Sequence, residues 1–184
     1  MRLRYLRYFL LAVLPVLALY FQSTVFQRLA VDGVLPDGVL IFILFFALLN
    51  GDIHGGVYGL CCGLLEDLYL GRIIGINMLT KGLTGYLLGK FNRQINPESP
   101  WVGPLGVFLG GILHAVLFGL LILFFDLYLM DPQRMLRIFA IQILYQTMLS
   151  IPLYWWYYHS HSSGWLKPAE EEDRLWNRLN KLVK

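Results

Sequence analysis

Charged residues are scarce in this chain of 184 residues. They make up 15% of it, against roughly 25% in an average soluble domain. Hydrophobic residues make up 57% of the chain, and its mean hydropathy is +0.58. This composition is typical of an integral membrane protein. The length allows about six helical spans of ~20 residues with short loops, and it leaves no room for a soluble catalytic domain.

Cysteine is almost absent, and the motifs of several enzyme classes are missing. The two cysteines, Cys61 and Cys62, are adjacent. Vicinal cysteines rarely bridge, and a metal needs more ligands nearby, so we predict that both are small core residues. The chain has no H-E-x-x-H motif, no G-x-S-x-G nucleophile motif and no P-loop. The acidic run at 170–173 lies in a polar tail and is no intramembrane acid motif.

Glycine, by contrast, is abundant and recurs at a helical spacing. Between Gly51 and Leu79 a small residue occupies every fourth position, with one carboxylate among them. The series is Gly51, Gly55, Gly59, Gly63, Asp67, Gly71 and Gly75. Positions four apart lie on one ridge of a helix, and glycine ridges let membrane helices approach closely. We predict helix packing or partner contact for these glycines, and packing within the hairpin is favoured for Gly55 to Gly63.

A second small-residue ridge lies in the longest apolar run, residues 101–129. Gly111, Ala115 and Gly119 fall near one face of this run together with Gly103, and Gly106 and Gly110 lie beside them. We predict helix packing or partner contact for them as well. At ~1.5 Å per residue the run exceeds the ~30 Å hydrocarbon core, so we expect it to tilt, bend or project beyond the bilayer.

The chain divides into a predicted transmembrane bundle of six helices, residues 1–160, and a cytoplasmic tail helix, residues 161–184. The predicted spans are 8–26, 39–49, 53–70, 74–91, 101–129 and 135–158. The last span ends in an aromatic run, 154–158, which we interpret as an aromatic belt at a membrane interface. From Pro168 the order of charges and an apolar stripe predict a short amphipathic helix; a solvated tail is the alternative.

Basic residues indicate the orientation of the bundle. With six spans, the N-terminal arginines, the loop at Lys90 and Arg93 and the basic tail share one side. The other side mixes basic and acidic residues. By the positive-inside rule, both termini are therefore cytoplasmic. The basic and apolar N-terminus resembles a signal peptide, but no cleavage site follows it, so we expect a retained first span.

Ionisable residues inside predicted spans are energetically costly and mark candidate functional positions. Glu66 and Asp67 precede the turn between spans three and four, and Lys81 follows it. We expect a carboxylate–Lys81 pair, with Lys81 snorkelling toward the outer surface, or Asp67 capping the amides near Gly75 to Asn77. A partner contact and substrate or ion chemistry are the alternatives.

Two polar ridges accompany these residues. Span four carries Asn77, Lys81 and Thr84, and span six carries Gln142, Gln146 and Ser150. The ridges could face each other across the bundle, line a shallow cavity, or simply hydrogen-bond between helices at on the order of 1 kcal/mol each. His114, beside the second glycine ridge, is predicted to be a packed hydrogen-bonding residue rather than a metal ligand.

A more specific pattern runs from Gly55 through Lys90. It consists of Gly55-Gly56, Gly59, Gly63-Leu64-Leu65-Glu66-Asp67, Gly71, Gly75-Ile76-Asn77 and Gly82 through Gly89. This pattern resembles the signature region of the MreD family of rod shape-determining membrane proteins. The resemblance implies a non-enzymatic scaffold in the elongation (rod) machinery of a rod-shaped bacterium, located in its cytoplasmic membrane.

The resemblance also implies partners and a fold. The implied partners are the bitopic protein MreC and, beyond it, MreB, RodA and penicillin-binding protein 2. We expect the wide face of span five to meet the partner. No cofactor, metal or nucleic acid is expected.

The implied fold is similar to that of the substrate-binding subunits of energy-coupling-factor vitamin transporters, and such a subunit is the alternative function. Those subunits bind their ATPase module through alanines four apart in span one, a spacing that Ala12 and Ala18 do not have. A small membrane enzyme acting on lipid-linked substrates is the third hypothesis.

Overall fold

The computed structural model describes residues 2–24, 33–71, 73–95, 99, 101–126 and 131–162. These residues form six α-helices and no β-strand, which confirms the predicted all-helical class. The helices are α1 (Arg2–Thr24), α2 (Gly38–Asn50), α3 (Asp52–Leu70), α4 (Ile76–Gly89), α5 (Val102–Phe124) and α6 (Pro132–Ser162), and a 3₁₀ turn (Lys90–Arg93) follows α4. In chain order they correspond to the six predicted spans.

α2 is the central helix of the bundle. Its sequence is apolar on every side, which is the pattern of a helix surrounded by protein. Ten of its 13 residues are buried, and it contacts each of the other five helices. At ~1.5 Å per residue it is about 20 Å long. It is therefore too short to cross a ~30 Å hydrocarbon core alone.

Glycines bring α3 and α4 together along most of their length. A Cβ atom on Gly59 would collide with the carbonyl oxygen of Lys81, and a Cβ on Gly63 would collide with that of Asn77. Gly55 is equally close to Ala47 of α2. The backbones touch where side chains would otherwise keep them apart. These three glycines therefore pack inside the chain, in the hairpin arrangement that the sequence favoured.

Gly71 and Gly75 have a different role from the one predicted. α3 ends at Leu70, and the two glycines lie in the turn before α4 with φ values of 62° and 108°. A Cβ atom on either would meet no atom within 4 Å. The predicted helix packing is therefore wrong for this pair. Glycine is needed there because side-chain-bearing residues rarely adopt a left-handed backbone.

The second small-residue ridge, on α5, divides between two neighbours. Gly106 and Gly110 pack against leucine side chains of α2, whereas Gly103 packs against Tyr154 of α6 and Gly111 against Gln146. A Cβ on Gly119 would be in ordinary contact with a methionine of α6, at 3.4 Å. The helices α5 and α6 thus pack most closely near the start of α5 and less closely toward its end.

The predicted overlong fifth span is wrong. α5 ends at Phe124 after 23 residues, and the chain turns at Phe125 and Asp126, where Asp126 has a φ of 54°. At ~1.5 Å per residue this helix is about 34 Å long, which is close to the thickness of the hydrocarbon core.

Two aromatic residues near the end of α6 pack against α2. Tyr154 and Tyr157 are buried, and their ring centroids lie 5.2 and 5.6 Å from that of Phe45. Trp155 and Trp156 are exposed. The predicted aromatic belt is therefore wrong for the two tyrosines. Positions three apart share one face of a helix, and here that face meets the core.

The two adjacent cysteines have different surroundings. Cys62 is buried in a small cluster with Val39 and Ile43, whereas Cys61 is exposed. The prediction of two core residues therefore holds for Cys62 and is wrong for Cys61, because neighbouring positions on a helix point about 100° apart.

Two helices among the described residues are long and apolar enough to cross a membrane. They are Val102–Phe124 and Pro132–His159, and two shorter apolar helices are Val13–Thr24 and Gly38–Asn50. α3 is rich in glycine and carries three carboxylates, and α4 has only 14 residues. The predicted tail helix from Pro168 lies outside the described residues.

Candidate functional site

A buried ion-pair cluster lies where α2, α3 and α4 meet. The ammonium of Lys81, on α4, lies 2.6 Å from a carboxylate oxygen of Asp37 and also donates a hydrogen bond to the carboxylate of Glu66, on α3. The Lys81 side chain is 0% exposed. Buried charges are tolerated only when they are paired. Lys81 is therefore bound to two carboxylates inside the protein.

This arrangement corrects the predicted position of the Lys81 side chain. We expected it to snorkel outward, but its ammonium points into the bundle. Asp37 lies between predicted spans one and two, and no role was predicted for it. A helix-start signal was present, because Asp37 directly precedes a long apolar run. Its side chain accepts a hydrogen bond from the amide of Leu40 at 2.8 Å, so Asp37 caps α2 and binds Lys81 at once.

Asp67 caps the start of α4. One of its carboxylate oxygens accepts hydrogen bonds from the amides of Gly75 (2.8 Å) and Met78 (3.0 Å). The other accepts from the backbone amide (3.2 Å) and the side-chain amide (2.9 Å) of Asn77. A carboxylate at the start of a helix accepts hydrogen bonds from the free amides there. Its negative charge also interacts favourably with the positive end of the helix dipole. The carboxylate–Lys81 pair and the Asp67 cap were predicted as alternatives. Both occur, on the neighbouring residues Glu66 and Asp67.

The cluster reaches α5 through a histidine. His114 is buried, and its Nε2 lies 3.4 Å from the hydroxyl of Thr80, one residue before Lys81. Thr80 also donates to the carbonyl of Ile76. Among the described residues, no group of three His, Cys, Asp or Glu side chains is arranged to hold a metal ion. The contact with Thr80 is the hydrogen-bonding role predicted for His114.

The ion-pair cluster is closed to solvent. Asp37, Glu66, Asp67 and Lys81 are all buried, and none of them lines either groove described below. One ammonium joins the start of α2 to both helices of the α3–α4 hairpin.

The two predicted polar ridges do not face each other. α4 packs against α2, α3 and α5, whereas α6 packs against α2 and α5. Asn77 bonds to Asp67 and Lys81 to its two carboxylates. Gln146 is buried against Gly111, and Gln142 is half-buried. Of the three alternatives, facing ridges is therefore wrong, because α5 lies between α4 and α6.

Two apolar grooves flank the exposed face of α5. The first, the hairpin groove, lies between the α3–α4 hairpin and α5 and has a volume of about 600 Å³. Its lining includes Val57, Leu83 and Leu117. Gly56 and Gly82 also line it, and Thr80 is among the few polar residues that do.

The second, the α5–α6 groove, has a volume of about 650 Å³. Its lining includes Ala115 and Gly119 of the predicted ridge, together with bulky residues such as Leu136 and Phe139 of α6. Gly111, in contrast, is covered by Gln146. The predicted ridge on α5 is therefore half used inside the chain and half open to the outside.

Comparison with known proteins identifies the family. No curated protein and no solved structure matches the chain. A family model described as rod shape-determining protein MreD matches residues 3–160, most of the chain. The match includes every helix that contributes to the cluster and the grooves, and it confirms the resemblance found from Gly55 through Lys90. The chain belongs to the MreD family of rod shape-determining membrane proteins.

Proposed function

We propose that this chain is a non-enzymatic membrane scaffold of the bacterial elongation complex, and that it binds an MreC-like bitopic protein through the membrane. MreB, RodA and penicillin-binding protein 2 are the further proposed members of the assembly. The observation that carries the proposal is that charged side chains are buried in the bundle while apolar surfaces are open on its outside. The charged side chains of the bundle core are sealed inside, whereas two apolar grooves are open on either side of α5.

The sealed interior supports a scaffold rather than an enzyme. An enzyme needs its acid, base or nucleophile within hydrogen-bond reach of a substrate. Here Glu66 and Asp67 are committed to Lys81 and to the start of α4. Those contacts rigidify the bundle, and a rigid bundle can present a fixed surface to a partner at little entropic cost.

The open grooves support binding within the membrane. Lipid tails are as apolar as leucine, so association between membrane helices depends on close packing rather than on burial of apolar surface alone. A groove lined in part by glycine and alanine allows a second helix to approach its backbone. Both grooves contain such residues, Gly56 and Gly82 in the hairpin groove and Ala115 and Gly119 in the α5–α6 groove.

For the topology we propose six spans in the bacterial cytoplasmic membrane with both termini cytoplasmic. The support is the order of the six helices and the positive-inside distribution of basic residues. α2 would cross as a short helix surrounded by protein, since it is almost wholly buried. The proposed fold remains similar to that of the vitamin-transporter subunits.

Co-purification tests the scaffold. The full chain, carrying an affinity tag, is expressed with an MreC-like protein and extracted in mild detergent. We expect a near-equimolar complex that withstands washing. A single-span protein of unrelated function, expressed at the same level, is the control and should wash away. Recovery of two ATPases and a second membrane subunit from native membranes, with no MreC-like protein, would instead indicate the transporter alternative.

Labelling tests the topology. Single cysteines in a cysteine-free background are exposed to a membrane-impermeant maleimide on intact spheroplasts. A cysteine at Gln94, between α4 and α5, should be protected until the membrane is opened. A cysteine at Asp126, after α5, should react at once. The opposite pattern would reverse the proposed orientation.

A further inference from the structure

The ion-pair cluster at the junction of α2, α3 and α4 contains one acid more than it has bases. Asp37 and Glu66 both contact the ammonium of Lys81, and no side chain of the three is more than 6% exposed. With both acids ionised, two negative charges would meet one positive charge, and one negative charge would remain uncompensated. A buried charge without a counter-charge is strongly unfavourable, above all inside a membrane protein. The cluster therefore needs one more positive charge than its three side chains supply.

The helices packed around Glu66 do not supply that charge through their described residues. α2 has no titratable residue, and Lys81 is the only charged residue of α4. On α3 itself, the buried thiol of Cys62 lies one turn before Glu66, and the neighbouring Asp67 adds a further negative charge.

Other basic residues lie elsewhere in the bundle. The arginines of α1 are in its first two turns, whereas the part of α1 that packs beside Cys62 contains Ala18 and Leu19. The basic residues of the 3₁₀ turn lie at the opposite end of α3, where Gly89 packs against Asp52. A bound proton remains as the source of the missing charge.

His114, on α5, is the remaining titratable side chain near the cluster. Thr80 donates its hydroxyl proton to the carbonyl of Ile76 at 2.8 Å, so the hydroxyl accepts from Nε2 of His114, 3.4 Å away. No described carboxylate lies within ion-pair distance of His114. A charged imidazole would therefore be buried without an anionic contact, which makes His114 a poor place for the missing charge.

The hydrogen bonds of the three acids indicate where a proton fits. Both oxygens of Asp67 accept from N–H groups, and those of Asp37 contact the amide of Leu40 and the ammonium of Lys81. Ionised carboxylates only accept hydrogen bonds, so both aspartates are suited to the charged form. Glu66 bonds to Lys81 through Oε2, whereas its Oε1 has no donor among the described residues. Of these six oxygens, Oε1 alone can hold a proton without facing another donor.

We propose that the cluster is a proton-binding site: in the folded bundle Glu66 is a neutral carboxylic acid with its proton on Oε1, while Asp37 is ionised and Lys81 bridges the two. The cluster is then neutral. Asp37 lies at the start of α2, where the helix dipole favours a negative charge, whereas Glu66 lies near the end of α3, where it does not. Loss of the proton leaves one uncompensated negative charge among the three helices, so the bundle loosens as the pH rises.

Infrared spectroscopy of the full chain in detergent at neutral pH tests the protonation state. The carbonyl stretch of a carboxylic acid is separate from that of a carboxylate. We expect an acid band that shifts when glutamate, but not aspartate, carries a heavy carbon isotope. It should disappear in Glu66→Gln and remain in Glu98→Gln, the matched change in the sequence between α4 and α5. Absence of the band, or a band that shifts with labelled aspartate, would overturn the proposal without any variant.

Thermal unfolding at several pH values tests the consequence. Above about pH 5 an unfolded chain has released its glutamate protons, whereas the folded bundle keeps the one on Glu66. Stability therefore falls as the pH rises, by up to roughly tenfold in the folding equilibrium constant per pH unit, until the folded state also loses the proton. Between about pH 5 and 9 we expect the melting temperature of the unmodified chain to fall, and that of Glu66→Gln to fall clearly less.

Each alternative gives a different result. If Glu66 is ionised in the folded bundle, Glu66→Gln weakens the bond to Lys81, lowers the melting temperature at every pH and leaves its pH dependence unchanged. If His114→Gln rather than Glu66→Gln removes the pH dependence, the proton belongs to His114. Either result would overturn the inference. Neither experiment measures retention of the MreC-like protein, so failure of the proposed scaffold would leave the proton site unaffected.

Discussion

Lys81 and Asp37 form an ion pair, with a nitrogen–oxygen distance of 2.6 Å, that joins the interior of α4 to the start of α2. Glu66 completes the set from α3. α2 is the helix that every other helix contacts. The ion pair therefore ties the α3–α4 hairpin to the central helix of the bundle.

Removal of the Lys81 charge should destabilise the protein strongly. Lys81→Met leaves Asp37 and Glu66 buried without a counter-charge, and breaking a buried pair in this way costs roughly 3–5 kcal/mol. We expect a large fall in melting temperature in detergent and in the yield of monodisperse protein. Lys90→Met is the control, because Lys90 is exposed and lies over the ring of Tyr86. Equal melting temperatures for the two variants would contradict a structural role for the cluster.

A single methyl group on the α3 ridge should be enough to disturb the hairpin. The Cβ of Gly59→Ala would collide with the backbone of α4, which cannot yield as a side chain can. Overpacking of this kind costs typically 1–3 kcal/mol. Gly119→Ala is the matched control, since its Cβ would be in ordinary contact at 3.4 Å. The check is thermal unfolding of both variants. A Gly59→Ala protein as stable as Gly119→Ala would disprove the close packing of α3 on α4.

Loss of the Asp67 carboxylate should loosen the start of α4. Asp67→Ala removes four hydrogen bonds to a buried acceptor, and the loss of a helix cap alone costs about 1 kcal/mol. Asp131→Ala removes an exposed cap with one bond, to the amide of Arg134 at 3.3 Å, and should matter less. Hydrogen exchange measured on 75–80 should rise selectively in Asp67→Ala. Equal exchange in both variants would argue against the cap.

The turn between α3 and α4 should tolerate only residues that accept a left-handed backbone. Gly71 has a φ of 62° and open space around its Cα. Gly71→Val should therefore destabilise through backbone strain, on the order of 1–2 kcal/mol. Gly71→Asn should be milder, since asparagine visits this region more readily. Equal melting temperatures for the two substitutions would show that the turn can change its conformation.

Much of the hairpin could be predicted from local sequence. The spacing of Gly55, Gly59 and Gly63 predicts one helical ridge, and the short connection after Leu70 places α4 beside α3. Asp67 lies just before that connection. Its side chain is therefore close to the start of α4, and the cap could be predicted from the short distance along the chain. Such relations involve residues close in sequence, where helix periodicity and turn chemistry determine the distances.

The sequence by itself determined the helical class, the order of the helices, the packing ridge on α3 and the family. Only the tertiary structure decided that Asp37 binds Lys81, that Tyr154 and Tyr157 face the core, and that Ala115 and Gly119 line a groove. The reason is physical. Helix periodicity gives each side chain a direction relative to its own helix, but the partner it meets depends on which helices become neighbours. That choice depends on how all six helices pack around α2.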